Sequence, residues 1–161
     1  MKPLLTVGYQ GASVPALIET LKAAGVGVLI DVRSAPVSKR PEFAKAALSE
    51  SIAAAGLRYL HMKALGNPWE GRAAAKSGDM DAYRQVFMAH LDSAPTRAAM
   101  AEAAEVAKAE TACLMCLEAD PAHCHRSMVA AALAPLGPFE VRHLATERPK
   151  KPSAQGTLPF D

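Results

Sequence analysis

Three cysteines in 161 residues are too few, and the wrong parity, for a disulfide-stapled scaffold. A chain of this length builds a core without staples, so reduced thiols are expected. No apolar run approaches the roughly 18 residues that a membrane span needs, and the amino terminus lacks a charged stretch followed by an apolar one and a cleavage site. The expectation is therefore a protein with no membrane partner, cytoplasmic by default. Charge of one sign is also missing: the formal net charge is +2, too small to imply nucleic-acid binding by itself. The one local excess, Arg148-Pro-Lys150-Lys151, is ordinary for a solubilising tail. No internal repeat is present. What remains, 50% hydrophobic and 21% charged residues, suits one domain with one core.

Five segments have strand character: Leu4 to Val7, Val26 to Val32, Leu57 to His61, Thr111 to Leu117 and Phe139 to Leu144. Helical spacing falls near residues 14–24, 42–55, 80–92, 95–109 and 122–136. Their alternation predicts an α/β fold, a single-domain three-layer αβα sandwich around a mainly parallel, five-stranded, Rossmann-like sheet. Ser13 and Asp79 are placed to cap helices, and Gly25 and Gly56 fall where a helix ends in a left-handed residue. Residues 62–79 lack a clear period, hold the only tryptophan, and read as a long connection able to act as a lid. The α/β domain is expected over residues 1–144, followed by an extended tail over 145–161, rich in Pro, Lys, Ser and Gly.

In a parallel sheet the loops after the first four strands emerge at one edge, where ligands bind in open α/β folds. Those loops hold the unusual residues. The first carries Gly8 and Tyr9. The second, Asp31 to Arg40, sets Arg33, Lys39 and Arg40 among Ser34 and Ser38, a composition suited to an anion or phosphate, with a solvated loop as the plain alternative. The third carries His61. The fourth, Cys116-Leu-Glu118-Ala-Asp120-Pro-Ala-His123-Cys124-His125-Arg126, packs thiols, carboxylates, imidazoles and a guanidinium onto a strand-to-helix turn, where helix N–H groups favour anions. Convergence of these loops favours anion binding by Gly8, Arg33, Ser34, Ser38, Arg40, His61, His125 and Arg126.

Cys113 and Cys116 imitate a C-x-x-C motif, but on a strand they point to opposite faces, so Cys113 reads as a small core residue. Cys124, near a helix start beside His125 and Arg126, is the better nucleophile. Cys116 and Cys124 can approach each other across the turn and form a reversible disulfide. Zinc held by Cys116, Cys124 and either His125 or His123 is conceivable, but the spacing matches no standard pattern, and the cluster is read as metal-free. Glu118 can act as a general base or pair with Arg126 or Arg33. Cys124, Glu118, Cys116 and Tyr9 are thus the expected catalytic residues, with the cofactor unknown.

With these residues in place, the chain resembles the bacterial DUF488 family, a domain of unknown function. The resemblance is carried by Thr6-Val-Gly8-Tyr9-Gln-Gly11, Asp31-Val-Arg33-Ser34-Ala-Pro36 with Ser38-Lys39-Arg40 and Phe43, Gly56-Leu-Arg-Tyr59-Leu-His61, Leu65-Gly66, and Cys116-Leu-Glu118-Ala-Asp120 with Cys124-His125-Arg126. It implies an α/β domain whose marked residues gather at one pocket, with no settled reaction. Gln10 stands where related sequences often carry an acid, which leaves an acid–base role at that position without support. The Asp-Val-Arg segment is also similar to part of a rhodanese domain, but the Cys-x5-Arg loop of that domain is missing.

The tail adds an independent clue. Gln155-Gly-Thr-Leu158-Pro-Phe160 is similar to the peptide by which bacterial replication and repair proteins dock on the DNA sliding clamp: Leu158 and Phe160 would fill an apolar groove and Gln155 fix the register. The alternative is that Leu158 and Phe160 fold back on the domain or join a crystal or dimer contact. Two functions follow. One is an enzyme binding a phosphorylated or nucleotide-like anion, linked to DNA repair or replication; the other is a non-enzymatic adaptor or ligand or redox sensor recruited to the clamp.

Overall fold

The computed structural model describes residues 1–146, apart from the side chain of His123; the carboxyl-terminal peptide Gln155 to Phe160 lies outside the described residues. Eleven principal elements follow in order: β1 (Lys2–Gly8), α1 (Val14–Ala23), β2 (Val28–Asp31), α2 (Lys45–Ala54), β3 (Arg58–His61), α3 (Trp69–Ser77), α4 (Met80–Leu91), α5 (Ala94–Ala109), β4 (Ala112–Cys116), α6 (His125–Leu133) and β5 (Phe139–His143). The strands form one sheet in the order β3-β2-β4-β1-β5, and every pairing is parallel.

Strand periodicity divides the core between the two faces. Leu4, Val28, Ile30, Leu114 and Cys116 join Phe87 of α4, Met100 and Ala103 of α5, and Val129 and Leu133 of α6. Leu5, Val7, Leu29, Cys113 and Met115 join Leu17 and Leu21 of α1 and Leu48 and Ile52 of α2. Successive strand residues therefore bury on opposite sides. Cys113 and Cys116 separate as expected, one in each layer. Full burial of each such aliphatic side chain contributes about 1.5–3 kcal/mol, and the central strands β2 and β4 are buried along their whole length. At the edge, β5 exposes Glu140, Arg142 and His143, charged or polar groups that discourage pairing with another sheet.

Local signals hold where the chemistry is unambiguous. Ser13 Oγ accepts from the Ala16 N–H at 3.1 Å and Asp79 Oδ1 from the Ala82 N–H at 3.0 Å, caps worth about 1 kcal/mol each. Gly25 and Gly56 both adopt positive φ just past α1 and α2, a backbone state that costs other residues.

Two expectations need correction. Residues 62–79 are not a long irregular connection: they hold a 3-10 turn, Lys63–Leu65, and the helix α3. That helix lacks an apolar stripe because its one buried residue is Gly71. A Cβ there would run into the Asn67 side chain, while Val86 of α4 would be at ordinary contact distance, 3.5 Å, so a bare backbone leaves room for Asn67. The helix's run of three alanines supplies helix propensity, but its only large apolar residue, Trp69, is exposed. The helix expected over 122–136 is also broken. A 3-10 turn, Pro121–His123, precedes an extended Cys124 (φ −132°, ψ 141°), and α6 starts only at His125.

No helix among the described residues is long and apolar enough to cross a membrane. The connections place the site. β1 leaves through α1 on one face towards β2, whereas its neighbour β4 leaves through α6 on the other face towards β5. Adjacent strands departing in opposite directions open a crevice at their carboxyl ends, the preferred ligand position in open α/β sheets.

Candidate functional site

The crevice between β1 and β4 is shaped by backbone before any side chain enters it. Gly8 stands opposite Cys116, and pairing continues past the strand ends through Tyr9 N–H to Cys116 C=O at 3.1 Å and Gln10 N–H to Leu117 C=O at 2.9 Å. A Cβ on Gly8 would run into the Glu118 carbonyl and the Arg126 guanidinium. Only glycine lets the two loops come this close.

Arg126 locks that approach. Fully buried, it donates from Nη1 to the Glu118 carbonyl and, at 3.4 Å, to Cys116 Sγ; from Nη2 to the Ala119 carbonyl at 3.3 Å; and from Nε to Thr6 Oγ1 at 3.1 Å. Burial pushes its pKa down from the usual guanidinium value. Its donors are directed at chain atoms, so Arg126 ties the β4 loop to β1 and does not line the cavity.

At the end of β2 a second cluster is equally self-contained. Buried Asp31 receives Arg33 Nε at 2.9 Å and Nη2 at 2.7 Å, together with the Arg33 backbone N–H at 3.1 Å. Tyr59 Oη donates to Asp31 Oδ2 at 2.5 Å, and Arg33 Nη1 donates to Tyr9 Oη at 3.2 Å. Burial alone would lower the Arg33 pKa, but the bonds to Asp31 and its charge outweigh that and the net direction is up. Burial, reinforced by Asp31, raises Tyr59. Tyr9 also stacks on Phe43, ring centroids 4.3 Å apart.

Above these supports lies a cavity of about 290 Å³. Its wall includes Tyr9, Arg33, Ser34, Cys116, Glu118, Cys124 and His125, so the loops after β1, β2 and β4 do converge. Other residues expected at the site do not reach it. Gly8 lies beneath as a packing surface. Ser38 Oγ accepts the Arg40 N–H at 3.1 Å within a turn, and Arg40 lies over the Phe43 ring at 4.4 Å and 3.7 Å from Glu42. His61 Nε2 meets the Arg33 carbonyl at 2.7 Å, holding that loop from behind.

The structure adds Asn67, Arg72 and Tyr83 to the wall. Arg72 extends from α3, and among the described residues its side chain makes no ion pair or hydrogen bond. Asn67 Oδ1 is buried against Gly71 with no hydrogen-bond partner, a cost of about 1–3 kcal/mol. Tyr83 is buried, and burial together with the Glu118 charge raises its pKa. Arg72 and Asn67 were hidden by the reading of residues 62–79 as irregular; Asn-Pro ahead of a run containing three alanines is the available signal of a helix start. Tyr83 falls within the helical spacing near residues 80–92, which does not mark it for the cavity.

The reactive groups sit at the floor. Cys124 is the N-cap of α6, its Sγ 3.5 Å from the Arg126 N–H. Cys116 and Cys124 are joined as a disulfide with a Cα separation of 7.3 Å, so the expectation that all thiols are free does not hold in this structure, while the approach across the turn does. His125 Nδ1 lies 3.9 Å from Cys124 Sγ, and its Nε2 lies 2.7 Å from the Val32 carbonyl. Burial lowers the His125 pKa and favours the neutral ring. Cys113, on the other face, has its thiol pushed up by burial and is chemically quiet.

A family model described as "Domain of unknown function DUF488" matches residues 13–133. The match takes in every cavity residue except Tyr9. No curated protein and no solved structure matches the chain.

Proposed function

We propose, from the premise that the chain belongs to the DUF488 family, that it is an enzyme acting on a small anionic ligand, phosphorylated or nucleotide-like, at the cavity between β1 and β4. The observation that carries this reading is the contrast along the cavity wall. Arg33 is neutralised by Asp31, but Arg72 projects from α3 without an acidic partner. Ser34 and Asn67 line the same cavity. An anionic oxygen bound by Arg72 and Ser34 gains charge-assisted hydrogen bonds. The exposed Val37 and Met80 on the same wall give an organic portion of the ligand an apolar rest.

The reacting centre is Cys116, Cys124 and His125 on the floor, with Glu118 on the same cavity wall as the proton acceptor or donor. Tyr9 and Arg33 shape the wall. His61 and Arg126 act from outside by holding loop backbone, and Arg40 packs on Phe43 beside Glu42. The test is thermal unfolding with inorganic phosphate or a nucleoside monophosphate, on the native chain and on Arg72→Ala. Stabilisation that Arg72→Ala weakens about tenfold or more in apparent affinity supports the reading; equal stabilisation of both proteins sinks it.

A second reading rests on the carboxyl-terminal peptide alone. Gln155, Leu158 and Phe160 have the residue types of a sliding-clamp ligand, in which case the domain is an adaptor or sensor brought to DNA. The two readings part on one comparison. Function that survives Glu118→Gln and Cys124→Ala but not removal of residues 155–161 belongs to an adaptor.

A further inference from the structure

We propose that Cys116 Sγ, Cys124 Sγ and His125 Nδ1 of the reduced protein form a three-ligand site for zinc, with the fourth coordination position open to the cavity. The inference rests on the reading above that this cluster is the reacting centre, and it names what the cluster does.

Geometry comes first. The three donor atoms lie within 4.8 Å of one another. Zinc–sulfur and zinc–nitrogen bonds of tetrahedral sites put neighbouring donors about 3.6–3.8 Å apart, and Cys124 Sγ already stands 3.9 Å from His125 Nδ1. The Cα separation of 7.3 Å between the two cysteines exceeds the roughly 4.4–6.8 Å at which cysteines are usually bridged. A backbone set that wide suits two thiolates sharing an ion better than two sulfurs sharing a bond.

The outer contacts agree. A carbonyl only accepts, so the 2.7 Å contact between His125 Nε2 and Val32 C=O puts the proton on Nε2 and leaves the Nδ1 lone pair facing the sulfurs. Support of this kind accompanies most metal-binding histidines. Each sulfur has its own donor: Arg126 Nη1 to Cys116 at 3.4 Å and Arg126 N–H to Cys124 at 3.5 Å. The ligands come from a strand end and a helix start, and all three line the cavity beside Glu118. Three ligands plus an accessible fourth position distinguish catalytic from structural zinc sites. Spacing alone hid this, because Cys-x7-Cys-His fits no common zinc pattern. The extended Cys124 between a 3-10 turn and α6 folds the segment back so that the two cysteines meet.

Loading from the oxidised form balances as follows. A cellular dithiol gives two electrons and two protons to the Cys116–Cys124 bond and becomes a disulfide, leaving two thiols. Zinc then displaces the two thiol protons, and His125 adds a neutral nitrogen.

The test uses the full chain reduced with a phosphine, which becomes its oxide with oxygen from water, then stripped of metal and titrated with zinc and, separately, cobalt(II). One zinc per chain is expected, with thiolate-to-cobalt charge-transfer absorption and the visible bands of a tetrahedral ion. Cys116→Ser, Cys124→Ser and His125→Gln should each weaken zinc binding about a hundredfold or more, beyond the usual effect of an outer contact, while Cys113→Ser changes nothing. Absence of uptake with both thiols alkylatable, or uptake indifferent to Cys116→Ser and Cys124→Ser, overturns the proposal. If a variant does not fold, the cobalt spectrum of the native chain decides: no thiolate charge transfer means no such site. Inorganic phosphate is tested on the same samples. Phosphate stabilisation without zinc uptake overturns the metal site alone; zinc uptake without phosphate stabilisation supports the metal site and overturns the anion reading.

Discussion

Two clusters share the carboxyl edge of the sheet, and they treat their polar atoms in opposite ways. Around Asp31 the charges are answered: Arg33 meets it through a two-pronged ion pair, Tyr59 caps it, and Tyr9 receives a third guanidinium N–H. Around Cys124 the contacts are long, His125 keeps a lone pair turned towards sulfur, and across the cavity the Arg72 side chain and Asn67 Oδ1 lack partners among the described residues. Both clusters look equally reactive as sequence. Satisfaction separates them: a polar group whose bonds are complete is scaffold, and one whose bonds are left open inside a cavity is available to a ligand.

Breaking the satisfied cluster should have the largest effect. Asp31→Ala strands the buried Arg33 guanidinium and should cost about 3–5 kcal/mol of stability in urea unfolding. A loss below 1 kcal/mol would mean that the pair is solvated. Arg126→Met removes donors from two carbonyls and Thr6, and should cost about 2–4 kcal/mol. Arg126→Lys should recover only part, because an ammonium cannot reproduce the fork. The open cluster should respond the other way. Under reducing conditions Cys124→Ser should change stability by less than about 1 kcal/mol while reducing the activity or metal uptake tied to the cavity. The smallest structural effect is expected at Arg72→Ala, within about 0.5 kcal/mol for the ligand-free protein, although the apparent phosphate affinity read from thermal stabilisation should fall about tenfold. A destabilisation of Arg72→Ala comparable to that of Asp31→Ala would erase the distinction between the clusters.

How much was legible in the sequence follows the same division. Strand order was not, but the parallel α/β arrangement was, because period-2 and helical patterns in alternation leave few ways to bury both faces. The caps at Ser13 and Asp79 and the C-terminal glycines were also readable, each being a local matter of one side chain or one φ. Helix α3 was not, since its buried residue is a glycine and its only large apolar residue, Trp69, is exposed. Of the cavity-lining residues, Tyr9, Arg33, Ser34, Cys116, Glu118, Cys124 and His125 were legible through their residue type and their place after strands. Arg40, His61 and Arg126 share those features and lie outside the cavity wall, because residue type does not reveal whether a donor is spent within the fold. Arg72 and Asn67 went unseen because they reach the cavity from an element that the pattern did not show.

The most direct measurement is amide NMR mapping of the reduced protein during titration with inorganic phosphate. Perturbations concentrated at Ser34, Asn67, Arg72, Glu118 and His125, with Gly25 and Gly56 unmoved, are expected if the β1–β4 crevice is the functional site. Perturbations scattered over surface lysines, or gathered between α1 and α2, would contradict it.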